Sequence, residues 1–251
     1  MVDVIKFRTK PLHTSGDVFE LAEKLPFITG HWIGRSKQHA GEYLNVGFGT
    51  PHHRYGTLVF LVGEDGVPRL HEIEANLPKL LFGHNGKLIR SQAQLVLALS
   101  RLRWVASHFF APSEVGAILP GLGREGHVTS IEIGLQLWDF EKILLLASHL
   151  TAGKYFRKAP MVAAGESTTH KTNDLSLKFY DKVLQLKDGT VIPGHGCCTR
   201  IEAQFRSATR LREAAKDKVP KSFSKIATVS FDWLFEVFRK TLNKILIGTL
   251  A

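Results

Sequence analysis

Cysteine is almost missing from this chain: there are 2 in 251 residues, side by side at Cys197 and Cys198. Adjacent cysteines make a strained disulfide that closes no loop, so a disulfide-stapled secreted fold is not expected. A zinc site would then have to be built from histidines and carboxylates, yet the 12 histidines show no His-Glu-x-x-His or comparable spacing. No apolar run reaches the roughly 18 residues that a membrane-crossing helix needs. The segment Met1 to Arg8 alternates like a strand and lacks a signal-peptide core, so a cytoplasmic protein without stable membrane association is expected. Internal repeats and low-complexity tracts are absent as well. Acidic residues are the scarcer charge, 23 against 33 lysines and arginines, for a net charge of +10. That excess implies an acidic partner, nucleic acid or an anionic membrane surface being the usual ones.

The hydrophobic content of 44% suffices for a substantial core and a small appended region, but the length does not suit two large domains. The expected division is a main unit over 1–212 and a C-terminal helical extension over 213–251. Period-two or β-rich patterns predict strands at Val2 to Arg8, Tyr43 to Phe48, Thr57 to Val62 and Arg69 to Ala75, with Gly63-Glu64-Asp65-Gly66 as a hairpin turn. Further strands are expected at Val128 to Leu137, Leu175 to Leu186 and Thr199 to Phe205. Helices are predicted at Asp17 to Leu25, Ser91 to about Phe110, Phe140 to Leu150 and Ser230 to Leu246. Several antiparallel strands with interposed helices predict an α+β fold, helices packed on one face of an antiparallel sheet and the other face open to a nucleic-acid strand.

The densest chemistry lies in Leu177-Lys178-Phe179-Tyr180-Asp181-Lys182. Side chains alternate along a strand, so Lys178, Tyr180 and Lys182 share one side, and Leu177 and Phe179 the other. A phenol flanked by two cations suits an anionic partner; it is equally the pattern of a packed tyrosine with basic neighbours. Glu72 and His84 offer oxygen and nitrogen ligands for a divalent metal, or else an exposed strand edge and a polar turn. Glu132 sits in the apolar strand Ser130-Ile131-Glu132-Ile133, where an unpaired buried charge is costly, unless it faces outward with Gly134 and Gln136. Arg200-Ile201-Glu202-Ala203 alternates as any half-buried strand does.

The order of these segments resembles the replication initiators of filamentous bacteriophages, the gene II protein family, and related phage and plasmid rolling-circle proteins. Leu77-Pro78-Lys79-Leu80-Leu81-Phe82-Gly83-His84-Asn85 is similar to that family's Ser-Pro-x-Lys-x-Leu-x-Gly-His-Asn segment, and Ser130-Ile131-Glu132 falls where the family has Arg-Ile-Asp. Lys178-Phe179-Tyr180-Asp181-Lys182 matches its Lys-x-Tyr-Asp-Lys pattern, and Arg200-Ile201-Glu202 its Arg-Phe-Glu strand. The resemblance implies an HUH-like nuclease architecture and a site-specific endonuclease that nicks and rejoins origin DNA through a 5′-phosphotyrosyl intermediate. Tyr180 would be the nucleophile, assisted by Lys182 and Lys178. Mg²⁺ or Mn²⁺ would be held by Glu72, His84 and Glu132. Lys79, Lys87, Arg90, Arg206 and Arg210 would contact the DNA backbone. Single-stranded or supercoiled origin DNA, a host helicase and a polymerase are the implied partners. Two rivals stand beside this: a non-catalytic DNA-binding protein, either a regulator of replication or a decayed initiator, and a membrane-associated protein anchored by the helix of Ser230 to Leu246.

Overall fold

Alternation along β1 (Val2–His13) sets the two sides of the molecule: Ile5 and Phe7 are buried, while Lys6 and Arg8 face the other way. The computed structural model of the chain describes residues 2–35, 42–110, 127–138, 161–163, 167–182, 198–206 and 231–250. Within them β1 lies centrally in one antiparallel sheet of 10 strands, ordered β2-β3-β4-β5-β1-β6-β10-β9-β8-β7. The strands are β2 (Ile28–Arg35), β3 (Glu42–Thr50), β4 (His53–Val62), β5 (Pro68–Asn76), β6 (His127–Trp138), β7 (Met161–Ala163), β8 (Ser167–Lys171), β9 (Leu175–Asp181) and β10 (Cys198–Phe205). The protein is therefore α+β, dominated by antiparallel pairing. β1 joins its two halves by pairing with β5 on one side and β6 on the other.

Register carries the apolar face from one half to the other without a break. Phe48, Gly56, Ala75, Ile5, Ile131, Phe205 and Leu175 are successive cross-strand partners over seven strands. Gly56 is required in this row, because a Cβ there would lie 2.3 Å from both the Glu74 carbonyl oxygen and the Phe48 ring. Against this face pack α1 (Val18–Lys24), α2 (Leu77–Phe82), α3 (Gln92–Ser107) and α4 (Phe231–Leu250), whose inward residues share one apolar cluster with the strands. The helix starts follow from their caps. Asp17, Asn76 and Ser91 each accept a hydrogen bond from a first-turn amide, satisfying a donor that the helix cannot.

Most strand and helix expectations coincide with these elements. α1 runs between its Asp17 and Leu25 caps, and α3 begins at its Ser91 cap but ends at Ser107. The turn at 63–66 closes with the Gly66 amide donating to the Gly63 carbonyl, Gly66 being left-handed at φ 72°. Three features differ. β2 was hidden by its glycines, Gly30 and Gly34, which interrupt the alternation. The Leu77–Phe82 segment is a helix, too short at 6 residues to show a period, stopped by Gly83 at φ 80°. β7 and β8 extend the sheet beyond β9; β7 is too short at 3 residues to show a pattern, and β8 is uniformly polar. The expected helix at 140–150 and the continuation of β9 beyond 182 lie outside the described residues.

The C-terminal segment enters the core directly. Leu234, Val237 and Phe238 of α4 are at most 1% exposed within the common cluster, so these apolar residues are committed to packing rather than to a lipid interface. No helix among the described residues is long and apolar enough to cross a membrane.

Candidate functional site: a buried carboxylate, arginine and tyrosine cluster

Opposite the apolar face, the register of β6, β10 and β9 assembles charge. Gln136, Arg200, Tyr180 and Ser167 form one cross-strand row, and Gly134, Glu202, Lys178 and Thr169 the next. Leu177 and Phe179 point into the core, as the alternation around Tyr180 predicts. Asp3 comes from the start of β1, where the register with β6 slips between Val2 and Ile5. That slip turns Asp3 toward the polar side although Val2 and Ile5 are both in the core.

Arg200, with no exposed surface, organises the cluster. Its Nη1 lies 3.1 Å from an Asp3 carboxylate oxygen and 3.5 Å from Glu202, and its Nη2 donates to the Asn85 carbonyl at 2.7 Å. Tyr180, 3% exposed, donates its phenolic hydrogen to Glu202. The two flanking lysines lie over the phenol ring, Lys178 Nζ at 4.4 Å and Lys182 Nζ at 5.5 Å from its centroid, as cation–π contacts. Oxygens of Asp3, Glu132 and Glu202 lie within 4.8 Å of one another, a spacing and donor chemistry that suit a hard divalent cation.

Three carboxyl groups this close cannot all ionise without a counter-ion. Burial, then the charge and hydrogen bond of Glu202, push the Glu132 carboxyl up to about 10, so it is protonated and donates to Glu202. Burial also lifts Asp3 to about 6 against the pull of Arg200. Glu202 is the member most firmly ionised: burial opposes it, but hydrogen bonds from Glu132 and Tyr180 and the Arg200 charge hold it down to about 2. Burial and the Glu202 carboxylate raise the Tyr180 phenol well above its ordinary range, making it a hydrogen-bond donor here. Burial and Arg200 bring Lys182 down to about 8.

A stability signature follows. Unfolded, Glu132 loses its proton near 4.5; folded and metal-free, it keeps it to about 10. The native state therefore binds one more proton over that interval, and this contribution to stability, complete below 4.5, is lost as pH rises. Between pH 6 and 8, urea unfolding of the metal-free protein should show a wild-type stability falling by up to about 1.4 kcal/mol per pH unit relative to Glu132→Gln. Parallel curves for the two proteins would mean that Glu132 is ionised in the fold.

Of the ligand set expected from the sequence, one member lies in this carboxylate group and two lie elsewhere. Glu132 joins the cluster. Glu72 lies on β5, 3.3 Å from Arg8 Nη2 and 3.9 Å from Lys6 Nζ. The His84 Nδ1 accepts the Gly86 amide hydrogen at 3.0 Å. The segment carrying His84 nevertheless serves the site through its backbone: the Asn85 carbonyl receives Arg200, and the Gly86 carbonyl receives Gln136 Nε2 at 2.8 Å. The sequence drew attention to Arg200 and Glu202 only as part of a matching strand, with no role, and to Asp3 not at all. Asp3 carried the same signal as Glu132, a carboxylate inside an apolar alternating strand.

Of the expected DNA contacts, Lys87 and Arg90 are exposed on the segment leading away from His84. Lys79 donates to the Arg54 carbonyl at 3.2 Å, and Arg206 Nε to the Gln204 side chain at 3.0 Å. Arg210 lies outside the described residues. No family model matches the chain and no curated protein matches it.

Proposed function

We propose that this protein is a metal-dependent tyrosine endonuclease that nicks and rejoins one DNA strand, as a rolling-circle replication initiator does. One observation carries the reading: the Tyr180 hydroxyl is hydrogen-bonded into the same carboxylate group, Asp3, Glu132 and Glu202, that has the donors for a divalent cation. Buried charge of this density is a poor source of stability, since apolar residues of similar volume hold a core as well or better. Its cost makes sense where chemistry uses it.

In the proposed step the Tyr180 oxygen attacks the scissile phosphorus. The Oη–P bond forms as the P–O3′ bond breaks, leaving a 5′-phosphotyrosyl strand and a free 3′-hydroxyl. Glu202, which already accepts the phenolic hydrogen bond, is the acceptor placed to receive that proton. Lys182, near 8, supplies a proton to the departing 3′ oxygen. Lys178 moves from over the ring to a non-bridging phosphate oxygen, exchanging a cation–π contact for a charge-assisted hydrogen bond. Mg²⁺ or Mn²⁺, held by Asp3, Glu132 and Glu202, would stabilise the negative charge that develops on the phosphoryl group. Because the phosphodiester energy is kept in the phosphotyrosyl bond, the 3′-hydroxyl can reverse the step and reseal DNA.

The metal requirement is tested by cleavage of supercoiled plasmid carrying candidate origins. Excess chelator should stop nicking and added Mn²⁺ restore it, and Glu202→Gln should lose both nicking and any thermal shift produced by Mn²⁺ alone. Nicking that continues in chelator would refute the metal mechanism. A second reading, a DNA-binding regulator without catalysis, draws on the 3% exposure of Tyr180 and its internal hydrogen bond. It predicts DNA binding with no nicked product under any metal condition.

A further inference from the structure

The polar side of the sheet does not end at the Tyr180 cluster. Through the pair Lys6↔Ser130 it continues from β6 onto β1 and then across β5, β4, β3 and β2, along Ser130, Lys6, Glu74, Thr57, Gly47 and Gly30. A parallel row runs Arg8, Glu72, Val59, Asn45 and Trp32. At the far end is an aromatic platform. Trp32 is 38% exposed on an edge strand, and the Arg54 guanidinium lies 4.3 Å from its ring centroid. Gly47 lies beneath this pair: a Cβ there would be 2.8 Å from Thr29 Oγ1, 3.1 Å from Arg54 Nε and 3.5 Å from the indole. Tyr43, with its ring 6.1 Å from His71, lines the same groove of about 410 Å³, and Lys6 and Arg8 border it.

We infer that this face is a second binding surface, on which the bases of single-stranded DNA stack on Trp32 and Tyr43 while Arg54, Lys6 and Arg8 meet the backbone. Exposed aromatics on a sheet, interleaved with cations, are the means by which proteins hold unpaired bases, whose π-faces a duplex conceals. Glu72 and Glu74, which also line the groove, ion-pair with Lys6 and Arg8, so backbone phosphates would compete with these carboxylates for the two cations. Seven strand spacings separate β9, which carries Tyr180, from β2, about 34 Å at the usual ~4.8 Å each, a span that one extended DNA strand can cover from the platform to the Tyr180 cluster. The nicking reading supplies only the identity of the ligand; the platform itself rests on Trp32, Tyr43 and Arg54.

The test is direct binding of a fluorescent single-stranded DNA oligonucleotide, measured by anisotropy in chelator with Tyr180→Phe protein, so that cleavage plays no part. Trp32→Ala should weaken binding about tenfold with the salt dependence unchanged, and Trp32→Phe should restore most of the loss. Arg54→Ala should lower the slope of log K against log salt by about 0.7, the loss of one phosphate contact. Far-UV circular dichroism confirms that each variant is folded. Binding of Trp32→Ala and Tyr43→Ala within twofold of the parent, or equal affinity for duplex of the same length, overturns the inference, even if wild-type protein nicks DNA. Trp32-dependent binding by a protein that never nicks upholds the platform and removes only the catalytic reading.

Discussion

Tyr180→Phe should abolish nicking, by at least a thousandfold, and eliminate the covalent protein–DNA adduct, while single-stranded DNA binding stays within about twofold of wild type. Phenylalanine keeps the ring on which Lys178 and Lys182 sit and removes only the oxygen that hydrogen-bonds Glu202 and is proposed to attack phosphorus. Glu202 retains its contacts with Arg200 and Glu132, so the fold should lose no more than roughly 1.5–3 kcal/mol, the range for a hydrogen bond to a charged group. The readout is a denaturing gel of end-labelled substrate, in which the adduct migrates with the protein. An adduct formed at the wild-type rate by the variant would assign the nucleophile to another residue.

Arg200→Leu should have the largest effect on stability of any single change in the cluster, about 3–5 kcal/mol. The guanidinium is fully buried and serves Asp3, Glu202 and the Asn85 carbonyl together. Leucine would fill part of the volume but leave Glu202 as a buried anion without its cation, and an acceptor in the Asn85 segment without its donor. Lysine does not repair this, because a single ammonium cannot reproduce a planar fork that reaches both carboxylates and a carbonyl. Chemical unfolding measures the loss, which should shrink toward pH 4 as protonation removes the uncompensated charge. A loss below 1 kcal/mol at pH 7 would show that Asp3 and Glu202 are neutral or otherwise paired in the fold. The two variants separate chemistry from architecture: one should leave a stable, inactive protein and the other an unstable one.

Much of the fold was legible locally. Alternation located β1, β3, β4, β5, β6, β9 and β10, and polar caps marked the beginnings of α1 and α3. The same alternation put Lys178, Tyr180 and Lys182 on one side of β9. What alternation cannot reveal is which strands become neighbours. β1 and β10 are separated by most of the chain, yet Asp3 and Arg200 meet at 3.1 Å because both strands flank β6. For the same reason Glu72 and Glu132, grouped in sequence, are apart in space: the strand of Glu72 lies across β1 from Glu132, and Glu72 ion-pairs there with Arg8 and Lys6. His84 was read from its side chain, but the site uses the carbonyls of the two residues that follow it.

The sequence by itself determined the excess of basic charge, the alternating strands, the helix caps and the tyrosine with a lysine on either side. Each is a property of neighbouring residues, fixed by dihedral preference, side-chain periodicity and composition. Tertiary structure alone decided that Tyr180 meets Glu202, that Asp3 and Glu132 complete the carboxylate group, and that Trp32 lies on the same face. Those pairings depend on strand order, on the slip in β1 that rotates Asp3 outward, and on low-dielectric burial, which couples charges that are distant in sequence and would be independent in water.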